Sequence, residues 1–355
     1  MRRSVRTILD SRGRVLCDTA APMESSTVPA FLSIDVEPDG FQLDRRDPPP
    51  WAGYLALVDY VTRLRADLAG WTGRTPRFGW YVRTDPQIAE VYGRPDHALA
   101  AFPGCVDRLR AAGDYFGVHS HPIRWAPECG QWVHEFGDAD WQAHATRFAL
   151  DAFGGWAGAP SRLFRAGAGF LTDRIVEAVE RAGVAVDLTL EPVTGWGVGA
   201  PAVPSGVDAA PIVGSYTDCG GAPREPYHPA RHDFRVDGGR AGRRLLMVPL
   251  TTRSLVSSRP RWRRAARRVL RGPAPTAVEV LYPAAPWPSA HAYWDVVDRQ
   301  LRSMRRPYLS LGIRTDAPTS AVAGRVRRIF DALPGHPLAQ RLRFENPLTT
   351  FRDTL

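Results

Sequence analysis

Residues 161–192 read SRLFRAGAGFLTDRIVEAVERAGVAVDLTLEP and divide into strand, helix and strand. The helical part, TDRIVEAVERAGV, has Thr172 placed as an N-cap and Ile175, Val176 and Val179 on one face. Gly183 is its stop signal. VAVDLTLEP then resumes an extended, apolar pattern. Short joins on both sides of a helix predict a parallel βαβ unit. The same rhythm extends toward the amino terminus. AFLSIDVE (30–37), RFGWYVRT (77–84) and YFGVHSHP (115–122) read as strands, with helical stretches at 55–70, 97–113 and 140–155 between and after them. Toward the carboxyl terminus, RLLMVPLTT (244–252) and RRPYLSLGIRT (305–315) are strands separated by a helix over 290–305. Seven strands with intervening helices predict an α/β fold, either a closed barrel or a doubly wound sheet. In both, functional groups collect at the carboxyl ends of the strands.

The 355 residues set a soft expectation of two domains, which the unbroken rhythm reduces to one. Residues 1–28 read as a polar tail, with Met23 a second candidate for the start. Residues 29–320 form the barrel-like domain, and 193–243 is a loop-rich excursion within it. Residues 321–355 read as a C-terminal helix and tail. All 46 basic side chains are arginine. Without lysine, the phosphate-binding GxxxxGK[ST] loop, protein-kinase chemistry and Schiff-base catalysis are excluded. The net charge of +9 invites an anionic partner, and its densest run is RPRWRRAARRVLR at 259–271. That run suits an anionic glycan or a peripheral contact with an anionic membrane better than nucleic acid. Four scattered cysteines without a CxxC pair fit a reducing compartment. With no signal-length apolar stretch at the amino end, the expected location is the cytoplasm.

The strand ends carry the chemistry. In SIDVEPD, period-two alternation puts Asp35 and Glu37 on one face, with Cα atoms ~6.6 Å apart. Two such carboxylates repel unless a cation or a shared proton lies between them. In GVHSHP, His119 and His121 project from one face in the same way, close enough to share a metal. Two imidazoles with one carboxylate make the open donor set of a hydrolytic Zn²⁺ site. The next strand ends FRAGAG, where small residues let backbone approach a ligand and Arg165 can hold a carboxylate. GWGVGA at 195–200 matches a dinucleotide fingerprint in letters only, because the PAVPSG after it cannot open a helix.

The order of an acidic strand end, GVHSHP, FRAG and a helix followed by VAVDLTLEP resembles the polysaccharide deacetylase superfamily over about residues 29–316. The resemblance implies an irregular (β/α)7 barrel that removes N- or O-acetyl groups from sugars. It implies Asp35 as general base, Glu37 as the acidic metal ligand, and His119 and His121 as the imidazole ligands. Arg165 would hold the base, and Asp187 would support it from the following strand. The cofactor implied is a divalent metal, zinc first. The substrate implied is an acetylated sugar or polysaccharide, in envelope polysaccharide or glycoconjugate biosynthesis. Candidates for touching that substrate are Arg83, Asp85, Trp125, Gly167 and Tyr227.

The chain departs from the family in three places. The family's adjacent aspartates are here Asp-x-Glu, leaving Asp39 as a reserve ligand. Its histidines, usually four apart, are two apart. Its last strand usually ends in a histidine that acts as general acid, whereas LGIRTD puts Arg314 there, and arginine cannot donate a proton near neutral pH. Another residue then donates, with His134, His228 and His232 as loop-borne candidates, or the substrate is an ester. The alternatives are a barrel that binds a glycan or a protein without turnover, and a C–N hydrolase acting on a non-sugar.

Overall fold

The computed structural model of the protein describes residues 8–9, 15–16, 27–40, 42–193, 211–254, 278–316 and 321–355. The glycine-rich segment at 195–200 and the arginine-rich run at 259–271 lie outside the described residues.

Strand β1 (Val28–Val36) is central, and its alternation serves two cores. Ala30, Leu32, Ile34 and Val36 pack into the large cluster shared with the surrounding helices. Phe31 packs into a smaller one. That smaller cluster draws Tyr81 from β2 (Gly79–Arg83), Tyr115 from β3 (Tyr115–Ser120) and Leu163 from β6 (Leu163–Ala166). Val186 of β7 (Val186–Asp187) and Leu246 of β9 (Leu246–Met247) complete it. Side chains from six strands of one sheet meet like this only when the sheet curls around them. β4 (Ile123–Ala126), β5 (Gln131–Glu135) and β8 (Ile212–Val213) form a separate three-stranded sheet, and β10 (Thr252–Ser254) pairs with β11 (Val278–Val280).

The main sheet runs β9-β7-β6-β3-β2-β1-β12, with β12 at Leu309–Arg314, and every pairing is parallel. Its ends meet through the chain after β9. Leu250 N–H donates to Leu190 O at 2.8 Å, and Thr251 N–H donates to Ser310 O at 3.0 Å. The fold is therefore α/β, an irregular barrel of seven parallel strands, matching the seven strands read from sequence.

Helix ends follow local chemistry. Helix α1 (Ala52–Thr72) stops at Gly73, whose φ of 68° is left-handed. Thr172 Oγ1 accepts from Ile175 N–H at 3.3 Å to start α4 (Asp173–Arg181), as the sequence predicts. Helices α2 (Pro86–Tyr92) and α3 (Ala139–Ala157) follow β2 and β5.

Three features differ from the sequence expectation. Residues 8–9 and 15–16 pair as a short antiparallel ladder inside the stretch read as a tail. The stretch 321–355 contributes β13 (Leu342–Phe344), which pairs with the first half of β1. The hairpin β4–β5 carries no clear sequence signature, because IRWA and QWVHE are each too short to show alternation clearly.

Candidate active site at the carboxyl end of the barrel

Strand register assembles the site. In neighbouring strands Arg314 lies opposite Asp35, Arg83 opposite His119, and His119 opposite Arg165. Glu37 is one step beyond β1, anchored by a two-way link to Thr315. Its N–H donates to Thr315 Oγ1, and Thr315 Oγ1–H donates to Glu37 O, both at 2.7 Å.

Glu37, His119 and His121 are buried and their donor atoms converge. The two Nε2 atoms are 3.1 Å apart. Glu37 Oε1 is 3.5 Å from His119 Nε2, and Oε2 is 3.3 Å from His121 Nε2. A tetrahedral ion with bonds of ~2.0–2.1 Å has ligand–ligand edges of about 3.3 Å, so the spacing fits a divalent metal. Protonation agrees. His119 Nδ1 lies 2.9 Å from Arg165 O, and a carbonyl only accepts, so Nδ1 carries the proton and Nε2 presents a lone pair. Burial pushes His121 well below the ordinary histidine range, which keeps it neutral. Burial pushes Glu37 up, but Arg314, then His121 and His119, hold it well below the usual carboxylate range.

Asp35, 3% exposed, is gripped by Arg165, whose Nε donates to Oδ1 at 2.8 Å and Oδ2 at 3.0 Å. Arg165 Nη1 also donates to Leu188 O at 2.6 Å, so the guanidinium is fixed at both ends. Behind Glu37, Arg83 forks onto Asp85 at 2.8 and 2.9 Å and reaches Gln87 at 2.6 Å. Arg314 is clamped by Asp316 at 3.2 and 2.5 Å and points its Nε at Glu37 Oε1, 3.3 Å away. Four ion-paired carboxylates (Asp35, Glu37, Asp85, Asp316) thus face three guanidiniums (Arg83, Arg165, Arg314), leaving one negative charge.

A cavity of about 210 Å³ opens above Asp35, Glu37, His119 and Arg165. Its walls are largely apolar, with Leu57, Ile313, Val322 and Val326 among them, and Glu191, Tyr282, Arg314, Thr315, Asp316 and Arg327 add further polar groups. The turn after β6 borders it, and there Ala168 holds φ 56°, the one non-glycine positive φ among the described residues. A strained backbone beside a ligand cavity is a mark of a functional site.

No family model and no curated protein matches the sequence. Among solved structures, the chain is similar to a provisionally named glycoside hydrolase/deacetylase from Parabacteroides distasonis. The TM-score is 0.50 at 11% identity, covering 90% of this chain and 69% of that one. The chain shares the fold of that glycoside hydrolase/deacetylase. The chain is also similar to PuuE allantoinase (TM-score 0.49) and to a provisionally named polysaccharide deacetylase from Mycobacterium smegmatis (TM-score 0.45). Each is 11% identical and covers 93% of this chain and 91% of that one.

Within this fold, several residues singled out in the sequence sit elsewhere than expected. Asp39 accepts from Ala52 and Gly53 N–H at 2.9 and 3.0 Å, so it caps α1 and is no reserve ligand. None of the five substrate-contact candidates lines the cavity. Arg83 and Asp85 are fully buried beneath Glu37 and His121, where Asp85 Oδ2 accepts from His121 N–H at 3.1 Å. Trp125 lies on β4 against Trp132, with Arg45 4.0 Å above its ring. Tyr227 is buried and donates its hydroxyl to Phe234 O.

Gly167 makes room for the Glu37–His119–His121 cluster instead, because a Cβ there would fall 2.2 Å from the His121 ring. Gly167→Ala is expected to displace that ring and lower metal affinity by about 10–100-fold. Metal titration of a variant shown folded by circular dichroism checks this.

The loop histidines do not supply an acid either, since none of them lines the cavity. His134, on β5, lies against His121 with ring centroids 5.5 Å apart, and burial, then Arg83 and Arg314, push it down to about 3. His228 engages Leu245 O, and His232 is exposed.

Asp187 is buried below Arg165 and accepts from Thr189 N–H at 2.6 Å, while its Oδ2 has no hydrogen-bond partner among the described residues. Burial lifts it to about 6 from an ordinary 3.8. Between those two values the folded state holds the extra proton, so stability falls as pH rises through that window. The loss by pH 7 is on the order of 3 kcal/mol. Asp187→Asn is expected to flatten this dependence, as urea unfolding at about pH 4.5 and pH 7.5 would show. An unchanged slope would remove Asp187 as its source.

Proposed function

We propose that the protein is a metal-dependent hydrolase that removes an N- or O-linked acetyl group from a carbohydrate. The observation that carries this is the Glu37–His119–His121 cluster adjoining the Asp35–Arg165 pair on the floor of one cavity. Two neutral imidazoles and a carboxylate are the donor set that Zn²⁺ prefers. When bound, a divalent ion supplies Lewis acidity, lowering the pKa of water and polarising the acyl carbonyl.

The protein's own groups do the rest. Asp35, held in one orientation by Arg165, takes the proton of the attacking water. His119 is kept in its ligating tautomer by Arg165 O, so the same residue positions both base and ligand. The apolar wall of Leu57, Ile313, Val322 and Val326 suits an acyl methyl and excludes competing water. Arg314, a permanent cation beside Glu37, takes the place where the family resemblance leads one to expect an acid.

That position favours a second reading, in which the barrel binds a glycan without turnover. Acetate release from N- and O-acetylated oligosaccharides, with metal content measured in parallel, separates the two. The expected result is about one divalent ion per chain and release abolished by chelation and restored by zinc. His121→Ala is expected to lose both metal and activity. A chain that takes up no divalent ion after reconstitution would sink the proposal.

A further inference from the structure

The proposed reaction lacks an assigned proton donor for the leaving group, and one carboxyl group lining the cavity, Glu191, is not among the four ion-paired ones named above. Glu191 follows β7 at the carboxyl end of the barrel, 8% exposed, and lines the cavity together with Asp35, Arg165 and Tyr282. Tyr282 donates its hydroxyl to the Glu191 carboxylate. Gly169, at φ 63°, makes the approach possible, since a Cβ there would sit 2.9 Å from the Glu191 carboxyl carbon.

We infer that Glu191, positioned by Tyr282, is the general acid that protonates the leaving nitrogen or oxygen, an assignment that rests on the deacetylase reading above. The groups acting on it are Arg165 from β6, Asp35 from β1, Arg314 from β12, and Tyr282 and Tyr216 from the flanking loops. Burial raises its pKa, against the lowering pull of Tyr282 and Arg165, which extends the protonated form to higher pH. Arg314 is permanently charged and locked to Asp316, so it stabilises negative charge without giving up a proton.

The step balances. Water loses one proton to Asp35, and its oxygen bonds to the acyl carbon. The bond from that carbon to the leaving atom then breaks, and its electron pair takes the proton from Glu191. Acetic acid and a free amine or alcohol result. The Asp35 proton returns to Glu191 through solvent, restoring both groups.

The test compares two leaving groups in the zinc-loaded protein. An N-acetylated amino sugar needs protonation to leave, whereas the nitrophenolate of 4-nitrophenyl acetate does not. Glu191→Gln is expected to lose about 10²–10⁴-fold on the amide and to stay within about threefold of wild type on the aryl ester. Tyr282→Phe removes a donor that stabilises the carboxylate anion. It is therefore expected to move the alkaline limb of the amide pH profile to higher pH. Equal losses on both substrates, or an unimpaired amide rate, would overturn the assignment. An alkaline limb that stays in place in Tyr282→Phe would overturn it as well. Wild-type protein inert on both substrates overturns the hydrolase reading itself, which separates that failure from this one.

Discussion

Asp35→Asn is expected to lower acetate release by about 10²–10⁴-fold while metal content stays at the wild-type level. The split follows from geometry. The cluster that can hold an ion is Glu37, His119 and His121, and Asp35 faces it across His119, whose Nδ1 is 3.7 Å from Asp35 Oδ1. Asparagine keeps the shape and one acceptor oxygen for Arg165 but cannot take a proton at neutral pH. Loss of metal together with activity would instead make Asp35 a ligand. Activity retained within about tenfold would remove it as the base. Glu37→Gln is the complementary variant, because it deletes the anionic donor and should lose the ion first.

Arg165→Met is expected to destabilise the fold by about 3–5 kcal/mol, the usual result of removing one partner of a buried ion pair. The guanidinium is 5% exposed and engages both Asp35 oxygens and Leu188 O. Its site is shaped for it, since a Cβ at Gly312 would sit 2.6 Å from Arg165 Nη2. Methionine fills similar volume but leaves the Asp35 carboxylate buried without a cation. Adding Asp35→Asn to Arg165→Met should therefore restore part of the loss, since no uncompensated charge remains. Urea unfolding of the two single variants and the double variant measures the coupling. A single-variant loss under about 1 kcal/mol, or a double variant no better than Arg165→Met, would show that the pair contributes little to stability.

Much of the barrel and its donor set could be read in advance because strand alternation is a local rule. SIDVE and GVHSH each place two side chains on one face whatever the rest of the chain does. The same rule sends Phe31 into the barrel interior below Asp35. The alternation of DLTLE puts Glu191 on the face of Asp187, but nothing local brings it to Tyr282, which follows a three-residue strand at Val278–Val280. Their meeting depends on how the barrel closes. Arg83 and Asp85 show the converse. Charged residues at a strand end suggest substrate contact, but the fold buries both to support Glu37 and His121. Asp39 sits two residues past Glu37 and looked like a ligand until the position of α1 made it a cap.

The sequence alone was enough for seven parallel strands, the paired carboxylates and the paired imidazoles, because each depends on neighbours within a few residues. Tertiary structure decided which carboxylate lies against the histidines, which arginine faces which acid, and which side chains line the cavity. Those choices depend on strand register and on the closing of the sheet through Thr251, contacts between residues far apart in the chain, such as Glu37 and Thr315, 278 positions apart. Pairings at that separation leave no periodic trace in the chain, because the two partners satisfy each other and not their sequence neighbours.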